Sequence, residues 1–165
     1  MIDTSTADAH VIGLGRYGVQ TAGTLASLGL GSCVAVLLHD STTGVGGLAH
    51  VVLPAAALSR DRSNPTRFAE TAVPFLIAEM VKAGAVRGRL HARLVGGASM
   101  FTALTPAGAV QIGQRNVSAC RQALDLEKIP LVAEAVGGEI GRSVWFAVES
   151  GAVTVRSVGR APEAL

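Results

Sequence analysis

The sequence predicts an α+β fold: mixed, largely antiparallel sheets with two main helices packed on them. Three observations carry this. Strand-length apolar segments recur along the chain. Two other segments show helical spacing next to capping residues. The order is strand, hairpin, helix, strand, helix and then consecutive strands, which does not alternate as a doubly wound fold does. The 165 residues are expected to form a single domain, 1–165, with a proper core.

Taken in order, residues 1–9 are expected to be a loose tail. Residues 10–14 read as a short strand running into Gly13-Leu14-Gly15-Arg16-Tyr17-Gly18, which fits G-x-G-x-x-G. A helix over residues 19–28, a strand over 34–38 and Asp40 further on would complete a dinucleotide-binding fingerprint. Against that reading, Gly29, Gly31 and Cys33 crowd the start of the second strand, and the chain then returns as a hairpin. Residues 33–38 (CVAVLL) and 45–53 (VGGLAHVVL) are its arms, apolar enough to be covered on both faces. His39 and Asp40 are read as solvated turn residues, and Ser41, Thr42 and Thr43 as turn hydroxyls.

Asn64 and Pro65 suit an N-cap and first helical position for a helix over residues 66–83, with Pro74 expected to kink or split it and Gly84 to stop it. Residues 90–95 read as a strand ending at Gly96-Gly97. Residues 99–112 read as loop with a short strand near 110–112. Asn116 reads as the cap of a second helix over 117–127, with Cys120 on its core face. Strands are expected over 131–136, 143–148 and 152–158, and a loose tail over 159–165.

The composition is 49% hydrophobic and 16% charged, with a net charge of only +2 and no basic block. Nucleic acid is not suggested. Gly, Ser, Thr and charges interrupt every apolar run before membrane-spanning length, and the polar, acidic start does not fit a signal peptide. Two distant cysteines without a CxxC fit a reduced, cytoplasmic chain. The four histidines show no metal-ligand spacing.

The chemistry concentrates in residues 27–54, SLGLGSCVAVLLHDSTTGVGGLAHVVLP. Cys33 is either a small core residue or a nucleophile, and His50 either structural or its base. A two-residue turn would set Cys33 directly opposite His50. A four-residue loop would set Ala35 there, with Cys33 a diagonal neighbour. Both place Cys33 and His50 on one face, whereas an odd-length loop would not. A helix opening at Cys33 would also favour a thiolate, but the β-branched content favours a strand. Glycines 29 and 31 leave N–H groups beside Cys33 that suit an oxyanion. A hydroxyl from Ser27, Ser32 or the 41–43 cluster could orient the histidine ring. The pair Gly96-Gly97 reads as turn or substrate lining.

These residues resemble the CheD family of chemoreceptor glutamine deamidases. The likeness runs through LGLGSCVAVLLHDSTTGVGGLAHVVLP and continues in GGASMF (96–101), IGQRN (112–116) and GGEIGR (137–142). It implies Cys33 as nucleophile and His50 as base. The family usually has a threonine where this chain has Ser27, which keeps the hydroxyl without the methyl that stiffens χ1. Arg16 stands where an acidic residue is common. The resemblance further implies a mixed α/β sandwich, remotely like the deamidating domains of cytotoxic necrotizing toxins. It implies hydrolysis of receptor glutamines through a thioester, with the oxyanion held near Gly31 and Ser32 and no metal or cofactor. Methylesterase activity and a CheC-type phosphatase partner are also implied. The alternatives are a regulatory module that only binds such a phosphatase, and a dinucleotide sensor using the Gly13 to Gly18 loop.

Overall fold

The computed structural model describes residues 7–104, 106 and 111–165. In chain order they form β1 (Ala9–Val11), β2 (Tyr17–Gln20), β3 (Thr24–Leu30), β4 (Val34–Asp40), β5 (Val45–Val51), α1 (Ala69–Lys82), β6 (His91–Gly96), α2 (Ile112–Leu126), β7 (Leu131–Val136), β8 (Arg142–Ala147), β9 (Ala152–Ser157) and β10 (Glu163–Ala164). One sheet has the order β1-β3-β8-β9-β10 and the other β2-β5-β4-β6-β7. Within these sheets only the β1–β3 and β6–β7 pairs are parallel. The α+β expectation, with mixed, largely antiparallel sheets and two helices, therefore holds. No helix among the described residues is long and apolar enough to cross a membrane.

The β2–β7 sheet lies between two apolar layers. Val34, Val36, Leu38, Ala49 and Val51 face a core shared with α1 and α2. Ala35, Leu37 and Leu48, on the alternate positions, face a core shared with Leu25, Leu30, Val144 and Phe146 of the other sheet. All seven residues of β4 and all seven of β5 are buried, because a strand covered on both faces has no solvent side. Residues Ala69, Ala72, Val73, Leu76, Ile77 and Met80 give α1 its buried stripe at helical spacing. On α2 the buried stripe is Gly113, Asn116, Val117, Cys120, Ala123 and Leu124.

Several expectations are corrected. Residues 19–28 are not a helix: β2, a turn and β3 occupy them. The Gly13 to Gly18 loop thus lacks the helix N-terminus that would hold a pyrophosphate, and the dinucleotide reading loses its anchor. The hairpin loop spans residues 41–44, pairing Asp40 with Val45. His39 and Asp40 therefore belong to β4 and are buried, not solvated. His39 Nε2 donates to the Val148 carbonyl at 2.7 Å. The Asp40 carboxylate accepts from the N–H groups of Thr42, Thr43 and Val86. Burial pushes its pKa up, but those three bonds outweigh it and hold the carboxyl below its ordinary range.

Asn64 caps a 3-10 turn at Pro65–Arg67, and α1 starts after it, running through Pro74 as one helix. Proline removes one intrahelical bond there, and packing on α2 and β5 carries the helix through. The second helix begins at Ile112, so Asn116 lies inside it, not at its cap. Of the strand expected near residues 110–112, 110 lies outside the described residues and Ile112 is helical. The ends are less loose than expected: Ala9 pairs in β1, β10 pairs with β9, and Leu165 N–H donates to the Val153 carbonyl. Residues 1–6 of the expected tail lie outside the described residues.

Tight interlayer packing makes a prediction. An added Cβ at Gly46 would stand 2.6–2.9 Å from Val148 and Phe146, whereas at Gly47 it would meet the movable ends of Met80 and Leu76. Gly46→Ala should destabilise the fold by about 1–3 kcal/mol, and Gly47→Ala by less. Urea unfolding followed by the fluorescence of Trp145 checks this, and equal midpoints for the two variants would refute it.

Candidate active site

Pairing across β4 and β5 runs from Asp40–Val45 to Val34–Val51 and sets Ala35 opposite His50. Cys33 precedes the last pair. It shares a sheet face with Ala35 and is the diagonal neighbour of His50, on the side turned to the other sheet. The four-residue hairpin loop thus delivers the pairing parity on which the cysteine–histidine reading depends. Cys33 is half-buried, and His50 is buried at 4% exposure.

The backbone of His50 is clamped by the glycine-rich loop: its N–H donates to the Arg16 carbonyl at 3.0 Å, and its carbonyl accepts from Gly15 N–H at 2.9 Å. Gly15 sits at φ +66°, in the left-handed region that glycine adopts readily. Its carbonyl accepts from Asn64 Nδ2 at 2.8 Å and from the Thr66 hydroxyl. The loop that looked like a phosphate cradle is occupied with holding the histidine strand.

The ring of His50 is oriented by a backbone group. Its Nδ1 lies 3.1 Å from the Ile12 carbonyl oxygen. A carbonyl can only accept, so the proton of the neutral ring resides on Nδ1 and the Nε2 lone pair is free. Nε2 is buried and has no hydrogen-bond partner among the described residues. Burial holds the His50 pKa below 6.5, although the Ile12 bond pulls it upward. Ser27, fully buried, donates from Oγ to the same Ile12 carbonyl at 2.8 Å and lies 3.4 Å from Nδ1. The hydroxyl therefore supports the orienting carbonyl more closely than it contacts the ring. Neither Ile12 nor this carbonyl was identifiable from sequence, because a main-chain acceptor has no residue type.

Around Cys33 the chain is held by glycine corners. Gly96 and Gly97 adopt φ +116° and +67°. An added Cβ at Gly96 would stand 2.2 Å from the Cys33 carbonyl oxygen, and Gly97 N–H donates to that oxygen at 2.8 Å. The pair thus serves as a close backbone seat for Cys33, and Gly97 N–H is already engaged. The Gly31 carbonyl accepts from Ala98 N–H at 2.8 Å, and the Ser32 carbonyl from Asn116 Nδ2 at 2.9 Å. Asn116, expected as a helix cap, lies deep in α2, and its place one residue before Val117 and four before Cys120 in the buried stripe is the sequence signal for that. The turn hydroxyls Ser41 and Thr42 sit at the opposite end of β4, too far along the strand to orient His50.

Burial raises the Cys33 thiol pKa, and that of Cys120, in the helix core, is pushed up to about 12. Iodoacetamide should therefore label Cys33 and spare Cys120 in the native protein, with labelling still climbing as the pH passes 9.0. Peptide mass mapping reads this; equal labelling of both would contradict it. His50, His39 and His91 all have pKa values lowered first by burial. The unfolded chain takes up their protons below pH 6.5 while the folded chain resists, so stability should fall as pH drops below 6.5. His50→Gln should flatten that fall in urea midpoints measured against pH, and an unchanged slope would show that His50 does not contribute.

A family model described as CheD chemotactic sensory transduction matches residues 52–157. The protein of Moorella thermoacetica named probable chemoreceptor glutamine deamidase CheD is 46% identical over 151 residues, 90% of this chain and 90% of its own length. The Thermotoga maritima protein named chemoreceptor glutamine deamidase CheD is 44% identical, covering 90% of this chain and 92% of its own. A Pyrococcus abyssi protein with the probable form of that name is 40% identical over 89% of this chain and 90% of its own. The family model begins beyond His50, but a match over nine-tenths of the chain spans both Cys33 and His50. By family model and by relatives alike, this chain belongs to the CheD family.

Proposed function

We propose that this chain hydrolyses the side-chain amides of glutamines in chemoreceptors, with Cys33 as nucleophile and His50 as general base. The observation that supports it most is the His50 ring: Nδ1 protonated toward Ile12, Nε2 unpartnered and buried on the face it shares with Cys33. Both groups are neutral at pH 7, because burial raises the thiol and lowers the imidazole. The scheme is therefore general-base activation during attack, not a standing thiolate–imidazolium pair. No Cys33–His50 hydrogen bond forms among the described residues, and bound substrate would tighten the pair.

In the first half-reaction His50 Nε2 takes the thiol proton as sulfur bonds to the carboxamide carbon. The carbonyl oxygen becomes an oxyanion, received by backbone N–H groups around Gly31, Ser32 and Cys33. As the C–N bond breaks, His50 returns the proton to the leaving nitrogen. Ammonia departs and a thioester remains. In the second half, His50 deprotonates water, the C–S bond breaks, and glutamate and the free thiol are restored. The same route would release methanol from a glutamyl methyl ester. Each turnover adds a negative charge to a receptor helix, where a small bias moves a balanced equilibrium. Within the family reading the chain acts as one cytoplasmic domain with a CheC-type phosphatase as regulator. The likeness to toxin deamidase domains belongs to the same reading.

With a receptor fragment as substrate, Cys33→Ala and His50→Ala should lower ammonia release by at least about 100-fold while circular dichroism stays unchanged. Mass spectrometry of the fragment locates the modified glutamine. Full activity in folded Cys33→Ala would reject the mechanism. Full silence of the wild type, with retained binding to the phosphatase, would favour a purely regulatory module.

A further inference from the structure

Asn116 reaches from α2 to the two strands that carry the candidate site, and it has no exposed surface. Its Nδ2 donates to the Ser32 carbonyl at 2.9 Å and to the Val52 carbonyl at 2.9 Å, using both amide hydrogens. Those carbonyls stand just past the end of the β4–β5 ladder, two residues before Val34 and one residue after Val51. One belongs to the residue before Cys33, the other to the second residue after His50. Asn116 Oδ1 is buried with no partner among the described residues. An unpaired buried acceptor is costly, so the side chain is explained by what it donates.

The Ser32 carbonyl and the Cys33 N–H belong to one planar trans peptide and point in opposite directions. Tying the carbonyl to Asn116 turns the Cys33 N–H away from β5, toward the end of β6. There the Cys33 carbonyl accepts from Gly97 N–H, but the reciprocal bond from Cys33 N–H to the Gly97 carbonyl is not formed. Gly97 is left-handed, and its carbonyl lies instead against the start of α2, 2.7 Å from where a Cβ of Gly113 would stand.

We propose that Asn116 is a positioning residue that aims the N–H of Cys33 at the oxygen that becomes negative when Cys33 attacks a carboxamide. The proposal rests on the deamidase reading above. It distinguishes Asn116 from an ordinary core residue because it acts on one step, the formation of the oxyanion, and not on the thiol.

The test compares the full-length wild type with Asn116→Asp, which keeps the size and leaves at most one hydroxyl donor where the amide has two. A glutamine-containing peptide from a chemoreceptor cytoplasmic helix is the substrate. The kcat should fall about 100-fold, the range for loss of one oxyanion donor, with KM within about twofold. Iodoacetamide alkylation of Cys33 forms no oxyanion and should stay within about twofold of wild type. The amide 1H–15N resonance of Cys33 should shift. Unchanged kcat in a folded variant, or kcat and alkylation falling together, overturns the proposal. If Asn116→Asp fails to fold, Asn116→Ala is read in the same way. A wild type that releases no ammonia from the peptide defeats the deamidase reading by itself. The Cys33 resonance then decides the positioning: a shift supports it, and an unmoved amide overturns it.

Discussion

The register of β4 against β5 is the constraint on which the rest depends. It sets Ala35 opposite His50 and leaves Cys33 at the ladder end on the same face. A slip of one residue would turn every side chain of a strand to the other layer. Such a slip is opposed from both sides, because β4 packs Val34, Val36 and Leu38 against the helices and Ala35 and Leu37 against the other sheet. Gly46 adds to this, since Val148 and Phe146 leave no room for a side chain there, and at Gly47 a side chain would have to displace the ends of Met80 and Leu76. The core therefore specifies the geometry of the site directly.

Main-chain groups do most of the orienting around that pair. The Ile12 carbonyl decides the tautomer of His50, the Arg16 carbonyl and Gly15 N–H hold its backbone, and Gly97 N–H holds the carbonyl of Cys33. The glycine clusters make this possible by letting backbone approach backbone, as at Gly96, where an added Cβ would stand 2.2 Å from the Cys33 carbonyl oxygen. Their N–H groups are largely engaged within the protein. That is why a phosphate-binding loop and a glycine-rich structural loop look alike on paper: both need the same residue type for the same reason, and only the occupant differs.

The strand and helix inventory was legible where burial is one-sided or periodic. Both helices and nearly every strand after residue 34 lie close to their expected places. The misreadings have physical causes. Residues 19–28 mimic a helix because Val19, Ala26 and their neighbours suit either state, and it is pairing with β5 and β8 that makes them strands. Residues 99–112 read as loop up to the last position, yet α2 already begins at Ile112, and its next residue, Gly113, sits where a side chain would collide with the Gly97 and Ala98 carbonyls. His39 and Asp40 suit a solvated turn as well as the end of a buried strand, because residue types alone do not count the length of the loop. The cysteine and histidine were visible as a pair; Ile12 and Asn116 were not. One acts through its backbone, and the other acts across 84 positions from Ser32.

Ser27 shows how the surroundings can replace a side chain's own stiffness. A threonine at this position would restrict χ1 through its methyl. Ser27 lacks that restriction, but it is fully buried in β3, with Ala26 and Leu25 packed beside it. Its hydroxyl is committed to the Ile12 carbonyl at 2.8 Å, just ahead of the irregularity between Ser27 and Leu30. Burial removes competing water, and the short bond selects one rotamer. The carbonyl that receives this bond also receives Nδ1 of His50. Ring orientation thus depends on a shared acceptor held by β1 and β3, through the Ile12 N–H bond to the Ala26 carbonyl at 2.7 Å. With the acceptor fixed by the sheet, the hydroxyl of Ser27 completes the hydrogen bonding of a carbonyl whose place the backbone already sets.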